Sequence, residues 1–370
     1  MTRPLLPRAL LALVLAAAPR LGSGQNLQVT PTVSLSQMHD DNLFATPAAE
    51  SDDISRLGAG LAVGQRSARL TVKARYALEA ETFRRHPELN RAAARQDAAL
   101  GVEWAASQRL DIALTADYVD TQTPSELNAL TGLEIGRRRG RRLSTGALFT
   151  HRLGPRSTSR LEHRFNRDRV AGLTGNDAHV VALGLDRRLG LSDRGSVGYR
   201  AQRVAFGHDV TLSHTVTLGW SRAMSRSSQL ALEAGPRWTG GRLGAEASAQ
   251  LRRQLRHGHA AIDYTRSQTT VLGQAGPVTV EGVRAAFSHR LVGPLWFSAS
   301  PGVFRVVGSG SEQSTLFGVS SEVGWRMARS VTLSGTHQFG RQEGGLVQGT
   351  ASELTHNTFA LALTRRSTRE

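Results

Sequence analysis

Apolar and polar residues alternate along most of this chain. In LQVTPTVSLSQMHDDNLF, which begins at Leu27, apolar side chains occupy the odd positions as far as Leu35, and polar side chains fill the even ones. Side chains of a β-strand point alternately to its two faces, so this spacing predicts a strand with one apolar face. The pattern recurs in RLTVKARYALEAE, LDIALTADY, LSHTVTLGW, LGAEASAQLRRQL and NTFALALTR.

About eighteen such segments follow one another, the first at 27–37 and the last at 353–365. Each is close to the ~10 residues of a tilted membrane-spanning strand. Their connections alternate between tight turns such as GPRS and VGPL and longer loops such as TPSELNALTGLEIGRRRG. This alternation is typical of outer-membrane barrels, whose short turns lie in the periplasm. We therefore predict an all-β, transmembrane antiparallel barrel of about 18 strands, with 16 as the next choice, and with both termini periplasmic.

The predicted apolar face needs a cover, which is either lipid or a second sheet. A soluble sandwich also shows alternation and stays open as an alternative. Uniform alternation over the chain and alternating loop lengths favour lipid. In lipid, the first strand must pair with the last, because hydrocarbon leaves no partner for an open sheet edge. Aromatic side chains near strand ends on the apolar face suit interfacial girdles, namely Trp104, Trp220, Trp238 and Trp325.

The first residues have the composition of a secretory signal. Arg3 and Arg8 precede the apolar run ALLALVLAAA, and small residues follow at Gly22 and Gly24. The apolar run is nearer to the ~7–15 residues of a signal than to the ~20 of a membrane anchor helix, which is the alternative. The predicted organisation is therefore a signal peptide at 1–24 and one barrel domain at 25–370. Cysteine is absent, so no disulfide framework supports this exported chain.

Composition narrows the class of protein further. Hydrophobic residues make up 39% of the chain and the mean hydropathy is −0.27. These values exclude a helical membrane protein but not a barrel, whose strands are half polar. The formal charge is +16, and Lys73 is the only lysine among 46 basic residues. A basic exported protein is expected to meet anionic partners, such as outer-membrane lipid and lipopolysaccharide phosphates or acidic glycans. Nucleic acid is not expected, since no nucleic-acid-binding motif is present.

The polar faces of the strands are expected to line an aqueous lumen. Arginine holds carboxylates and phosphates through two parallel hydrogen bonds, so such a lumen favours anions and hydroxyl-rich polymers. The alternative is that these charges pair across strands and only solvate the interior. The residues predicted to line the lumen and face its cargo are Arg69, Lys73, Arg75, Arg160, Arg164, Arg200, Arg237, Arg252 and Arg284.

Other polar motifs carry less information. GRRRGRR, from Gly136 to Arg142, lies in the longest loop, either beside lipopolysaccharide phosphates or as a solvated basic segment. HDDN, from His39 to Asn42, lacks the spacing of an EF-hand, so no metal is predicted. The chain has no phosphate-binding Gly-Lys-Ser loop, nucleophile elbow or HExxH motif, and its histidines are scattered. We therefore expect neither an enzyme nor a cofactor.

The stretch VTPTVSLSQMHDDNLF, followed by a polar loop and ISRLGAGLAVG, resembles the β-barrel porin 2 family of outer-membrane barrels associated with exopolysaccharide biosynthesis and export. Asp41, Asn42, Leu43 and Phe44 keep that family's Asp-Asn-aromatic loop. The resemblance implies a conduit for a secreted anionic or hydroxyl-rich polysaccharide, delivered by periplasmic polysaccharide-export proteins. A general anion-preferring porin or nutrient channel is one alternative. A structural or glycan-binding barrel without a transport role is another.

Overall fold

The structure, a computed structural model, describes residues 26–128, 133–308, 312–345 and 353–367. The predicted signal peptide at 1–24 lies outside the described residues. The described parts hold two short 3₁₀ turns, at Pro87–Leu89 and Pro124–Asn128, and no helix in them is long and apolar enough to cross a membrane. Eighteen strands make up most of the described chain: β1 (Asn26–Asp40), β2 (Asp52–Arg66), β3 (Leu70–Phe83), β4 (Arg91–Ala105), β5 (Leu110–Thr121), β6 (Gly140–Arg152), β7 (Ser157–Val170), β8 (Asn176–Arg188), β9 (Asp193–Phe206), β10 (Asp209–Ala223), β11 (Ser228–Thr239), β12 (Arg242–Leu255), β13 (Gly258–Thr270), β14 (Pro277–Arg290), β15 (Leu295–Val307), β16 (Gln313–Ala328), β17 (Val331–Glu343) and β18 (Glu353–Arg366).

These strands form one sheet that closes on itself. Each strand pairs antiparallel with its neighbours in sequence, and β1 pairs with both β2 and β18. Leu35 is the register partner of Leu57 on one side and of Leu363 on the other. The prediction of an 18-stranded antiparallel barrel closed between its first and last strands is confirmed, and a two-sheet sandwich is excluded.

The apolar face of the sheet points outwards. Val33, Leu35 and Leu57 are 54%, 58% and 57% exposed, and Leu218 is 67% exposed. Exposed apolar side chains of this kind recur on nearly every strand, so the outer surface is a continuous apolar belt. Soluble monomers do not expose apolar patches of that extent. In a bilayer, however, lipid covers the outer face, and closure leaves no unpaired sheet edge.

The belt approaches the height of the hydrocarbon part of a membrane. On β10 the outward side chains from Leu212 to Trp220 span about 26 Å along the strand, at ~3.3 Å per residue. A strand tilt of ~40° reduces this to about 20 Å across the bilayer, near the ~25 Å apolar band of outer-membrane barrels. We call this belt the apolar band. Towards the long loops the outward residues become polar, as at Gln37 and His39 on β1 and Arg167 on β7. The strands therefore extend beyond the apolar band at their loop-side ends.

The interior near the long loops is partly apolar, which the alternation does not predict. Ile54, Val280 and Val306 face inwards there and are fully buried. The hairpin of β13 and β14 also bends inwards at its loop-side end. There β12 pairs with β13 only as far as Ala247 and Arg266, whereas β13 continues to pair with β14. Val280 and Val306 belong to a core that packs against a loop inside the barrel, whereas Ile54 belongs to a second cluster with Met38, Leu43 and Phe83.

Candidate functional site

The connection between β5 and β6 crosses the interior of the barrel. Leu133 and Ile135 in this connection are fully buried and belong to the same apolar cluster as Val280, Val306 and Leu316. Those three side chains come from β14, β15 and β16, on the opposite side of the ring from β5 and β6. We call residues 122–139 the crossing loop. Because its described parts contact the far wall, the loop narrows the lumen.

Polar contacts hold the crossing loop to both sides of the barrel. The Arg137 guanidinium forms an ion pair with Glu81 on β3 and lies 4.5 Å from the centroid of the Phe83 ring. Earlier in the loop, the Asn128 side chain is hydrogen-bonded twice to Leu272, in the connection between β13 and β14 on the opposite side of the ring. Its Nδ2 donates to the Leu272 carbonyl over 3.3 Å, and its Oδ1 accepts from the Leu272 amide over 2.9 Å. Both contacts fix the loop from buried positions.

A histidine anchors the loop to the seam between β18 and β1. The Glu134 amide donates to Gln342 Oε1 over 3.1 Å, and its carboxylate lies 3.2 Å from His356 Nδ1. The Nε2 atom of His356 lies 2.8 Å from Asp40 Oδ1. His356 sits at the loop-side end of β18, beyond the apolar band. Burial disfavours its charge, but the hydrogen bonds to Asp40 and Glu134 outweigh burial and raise the pKa of His356 to about 10. At neutral pH the imidazolium therefore joins the loop to β1 and β18.

A charged cavity of about 580 Å³ lies beside the crossing loop. Arg95 from β4 forms an ion pair with Glu126 of the loop, and Arg56 from β2 lies 2.9 Å from Glu81. Burial raises the pKa of Glu126, and the two neighbouring guanidinium groups oppose that shift. Arg284 from β14 lines the same cavity. A solute passing the loop would thus meet both signs of charge.

The predicted lumen residues fall into two groups by position. Arg69 precedes the start of β3 at Leu70, so it lies in the turn between β2 and β3 and not in the barrel wall. The other eight occupy strand positions that alternate with outward apolar residues and therefore face the interior: Lys73, Arg75, Arg160, Arg164, Arg200, Arg237, Arg252 and Arg284. Their action on a solute stays a prediction.

Five of the eight inward residues are engaged by lumen carboxylates. The ion pairs are Arg75 with Asp97 (3.1 Å), Arg160 with Asp186 (3.2 Å), Arg164 with Glu162, and both Arg200 (3.1 Å) and Arg237 (3.7 Å) with Glu246. Such pairs solvate the barrel wall, as expected if these charges pair across strands and do not select a solute. Arg237 is in addition buried and donates to Thr279 Oγ1 over 3.2 Å, so it supports the inward-bent hairpin.

The remaining three inward residues, Lys73, Arg252 and Arg284, differ from these five in their ion pairing. Within the described part of the chain, no carboxylate oxygen lies within 4.0 Å of their charged groups. Carboxylates without a basic partner line the wall as well, among them Glu79 and Glu233. Towards the turn side, however, further inward arginines without an ion pair shift the balance to positive: Arg194, Arg290 and Arg326.

The GRRRGRR motif is divided between the two faces of the wall. Arg137 and Arg142 point inwards, and Arg142 Nε lies 2.7 Å from Asp168 on β7. Arg139 and Arg141 point outwards and share the carboxylate of Asp120, at 2.7 Å and 3.0 Å. The interpretation of this motif as a uniformly solvated basic segment is therefore wrong, because four of its arginines are held by carboxylates.

The family-motif loop closes the ring and does not line the lumen. The Asp41 carboxylate accepts from the backbone amide and the side-chain Nδ2 of Asn357 on β18, over 2.6 Å and 2.7 Å. Asn42 donates to the Thr355 carbonyl over 3.1 Å. The other two motif residues pack beside this seam, Leu43 being buried and Phe44 lying edge-on to His86.

A possible cation site adjoins the same seam. Ligand atoms of Asp40, Asp41 and His356 lie within 4.8 Å of one another. The Asp40 carboxylate is already hydrogen-bonded to His356, and the Asp41 carboxylate to Asn357. A protonated His356 has no free lone pair with which to bind a metal. The geometry gives no reason to assign a metal here.

Sequence reasoning missed Glu126, Glu134 and His356. Glu126 and Glu134 lie in a loop without periodicity. His356 occupies a polar strand position like many others. Its one signal is the ring closure, because pairing of β18 with β1 brings Asp40 next to it.

No family model and no curated protein matches this chain. Solved structures match its fold. OpdO of Pseudomonas aeruginosa has a TM-score of 0.53 at 12% identity, covering 93% of this chain and 98% of that one. OccAB4 of Acinetobacter baumannii has a TM-score of 0.51 at 7% identity, covering 94% and 99%. OpdQ of P. aeruginosa has a TM-score of 0.51 at 7% identity, covering 93% and 98%. The chain therefore has the 18-stranded fold of outer-membrane porins.

Proposed function

We propose that this chain forms a water-filled outer-membrane channel for small solutes, with a preference for anions. The fold is that of porins, and the apolar band gives the barrel a membrane-sized outer surface. One observation carries the proposal: in the lumen that the docked crossing loop narrows, Lys73, Arg252 and Arg284 have no carboxylate partner among the described residues.

The placement of these cations fits attraction of an anion from the turn side. Arg252 lies three residues from the turn-side end of β12, and Lys73 lies three residues from that end of β3. Arg284 lies six residues from the turn-side end of β14, about 20 Å along the strand at ~3.3 Å per residue. Fixed positive groups in a narrow passage raise the local concentration of anions, so they favour anion passage. No chemical step is required, in keeping with a non-enzymatic role.

The polysaccharide conduit that the family resemblance implies has less support. None of the comparisons links this fold to polysaccharide export. A polymer would also have to displace the crossing loop, whose Leu133 and Ile135 are buried against the far wall. A channel for small molecules needs no such displacement. We further propose that the short turns and both termini face the periplasm, as in barrels whose long loops lie outside.

The test compares the ion selectivity of three purified proteins in planar bilayers. In Lys73→Gln/Arg252→Gln/Arg284→Gln the unpaired cations are neutral, whereas Arg187→Gln changes an exposed arginine on the outer face. Zero-current potentials are measured across a KCl gradient. We expect anion preference in the wild type and in Arg187→Gln, and a clear shift towards cations in the triple variant.

Two outcomes would contradict the proposal. A folded barrel that carries no current would favour a structural or glycan-binding role. Equal selectivity of the wild type and the triple variant would show that the unpaired cations do not act on passing ions.

A further inference from the structure

Five arginines form a patch on the outer face of the barrel, at the loop-side edge of the apolar band and above it. We call Arg139, Arg141, Arg167, Arg169 and Arg203 the outer arginine patch. We propose that it binds the phosphate groups of the phosphorylated glycolipid of the outer leaflet, lipopolysaccharide. The proposal rests on the membrane location of the barrel and on the proposed orientation with the long loops outside, and it is independent of which solute passes through the lumen.

The height of the patch matches a lipid headgroup. Phe165 faces outwards at the edge of the apolar band, and Arg167 is the next outward residue on β7, about 7 Å further along the strand. The Arg167 guanidinium lies 5.5 Å from the Phe165 ring centroid. Leu143 is the register partner of Arg167 on β6. The charged groups therefore begin where the lipid-facing surface ends.

The patch holds more positive charge than it neutralises. Asp120 binds Arg139 and Arg141, and Asp177 binds both Arg167 (3.0 Å) and Arg169 (2.9 Å). Within the described residues, Arg203 has no carboxylate within 4.0 Å. Five guanidinium groups thus share two carboxylates. The four paired side chains remain between 43% and 50% exposed, so their free N–H groups are accessible from outside.

The strand register places part of this surplus positive charge in direct repulsion when no ligand is bound. Arg141 on β6 and Arg169 on β7 are direct cross-strand partners, and like charges placed directly opposite each other destabilise a sheet. A phosphate between them would remove the repulsion. It would also accept the paired hydrogen bonds that guanidinium groups offer to oxyanions.

Other outward arginines at this height carry less surplus charge. Arg266 on β13 and Arg305 on β15 flank Glu281 in the register, and Arg266 lies 3.5 Å from its carboxylate. Arg341 on β17 lies 2.8 Å from Glu343 and 3.2 Å from Glu353. The surplus is therefore largest on the β6, β7 and β9 side of the barrel, where five guanidinium groups share two carboxylates. This asymmetry also supplies a matched control.

The experiment measures binding of lipopolysaccharide to the purified full chain in detergent, by native mass spectrometry. The variants are Arg141→Gln/Arg169→Gln and the control Arg341→Gln. Loss of one charge-assisted contact is expected to weaken binding roughly ten-fold. We therefore expect ten-fold or greater weakening in the double variant and unchanged binding in the control. Arg203→Gln, which breaks no ion pair, should weaken binding even if the double variant fails to fold.

Enzymatically dephosphorylated lipopolysaccharide and phosphatidylglycerol identify the chemistry that is bound. Both should bind at least ten-fold more weakly than the phosphorylated glycolipid. Equal binding of the dephosphorylated form would overturn phosphate recognition. Equal binding of phosphatidylglycerol would overturn the assignment to the glycolipid, and undiminished binding by both patch variants would overturn the assignment to these arginines. None of these results would change the expected conductance in planar bilayers. Failure of the glycolipid proposal can therefore be distinguished from failure of the proposed channel.

Discussion

Release of the crossing loop should widen the channel. Leu133 and Ile135 are 0% and 1% exposed and pack against β14, β15 and β16. In the variant Leu133→Ala/Ile135→Ala the loop keeps its ion pairs but loses its apolar contacts with the far wall. We expect the loop to leave the wall for a substantial part of the time.

The size of the effect follows from burial. Replacing a buried Leu or Ile by Ala costs ~2–5 kcal/mol, so the two substitutions together weaken docking by at least about 4 kcal/mol if they act independently. Each ~1.4 kcal/mol is a factor of ten. Even the lower figure changes the ratio of docked to undocked loop roughly a thousandfold. The strands of the barrel are not altered, so folding itself should be retained.

Single-channel conductance and the exclusion of polyethylene glycols of graded size provide the assay. The double variant should show higher conductance, larger current fluctuations and passage of larger polymers than the wild type. Leu212→Ala is the matched control, because Leu212 is 50% exposed on the outer face. If the folded double variant has the conductance and polymer cutoff of the wild type, the crossing loop does not limit the passage.

Three further predictions concern individual residues. The raised pKa of His356 makes loop docking depend on pH: the contribution of His356 to docking is complete below pH 6.5, its ordinary pKa, and is lost as the pH rises towards 10. The conductance of the wild type should therefore rise between pH 6.5 and pH 10, and His356→Gln should abolish this rise. Asp41→Ala removes two hydrogen bonds at the seam between β1 and β18 and should lower the free energy of unfolding in urea by about 1–3 kcal/mol. Gly324→Ala places a Cβ 1.9 Å from the Trp296 ring, so the ring must move at a cost of about 1–3 kcal/mol, visible as a changed tryptophan fluorescence spectrum.

The strand architecture could be predicted because each face of the sheet has one environment over most of its length. Lipid outside and water inside produce the two-residue period, and that period identifies the strands from β1 to β18. Errors arise where a strand ends. Arg69 belongs by period to the inward face, but the turn includes it and β3 begins one residue later.

The crossing loop could not be predicted, because nothing in its residues specifies the wall against which it packs. Leu133 and Ile135 are too few to form a periodic pattern, and their partners Val280 and Val306 lie far along the chain. Those inward valines also break the rule that the inner face is polar. The anchoring pair of Glu134 and His356 depends in the same way on contacts that exist only once the ring has closed.

The pairing state of the inward arginines is likewise a tertiary property. The sequence reveals an excess of arginine, but only the folded structure shows that Arg75 has a carboxylate partner on β4 and that Arg284 has none among the described residues. The same holds outside the barrel, where Arg141 and Arg305 look alike in sequence. Only the register shows that Arg141 lies between Asp120 and Arg169, whereas Arg305 lies opposite Glu281.

The most direct test of a narrowed, anion-preferring channel is the zero-current potential of the unmodified protein in a planar bilayer that separates concentrated from dilute KCl. The account predicts discrete channels and a potential of the sign that chloride permeation produces. A cation-selective potential, or bilayers that stay silent although the barrel has inserted, would contradict it.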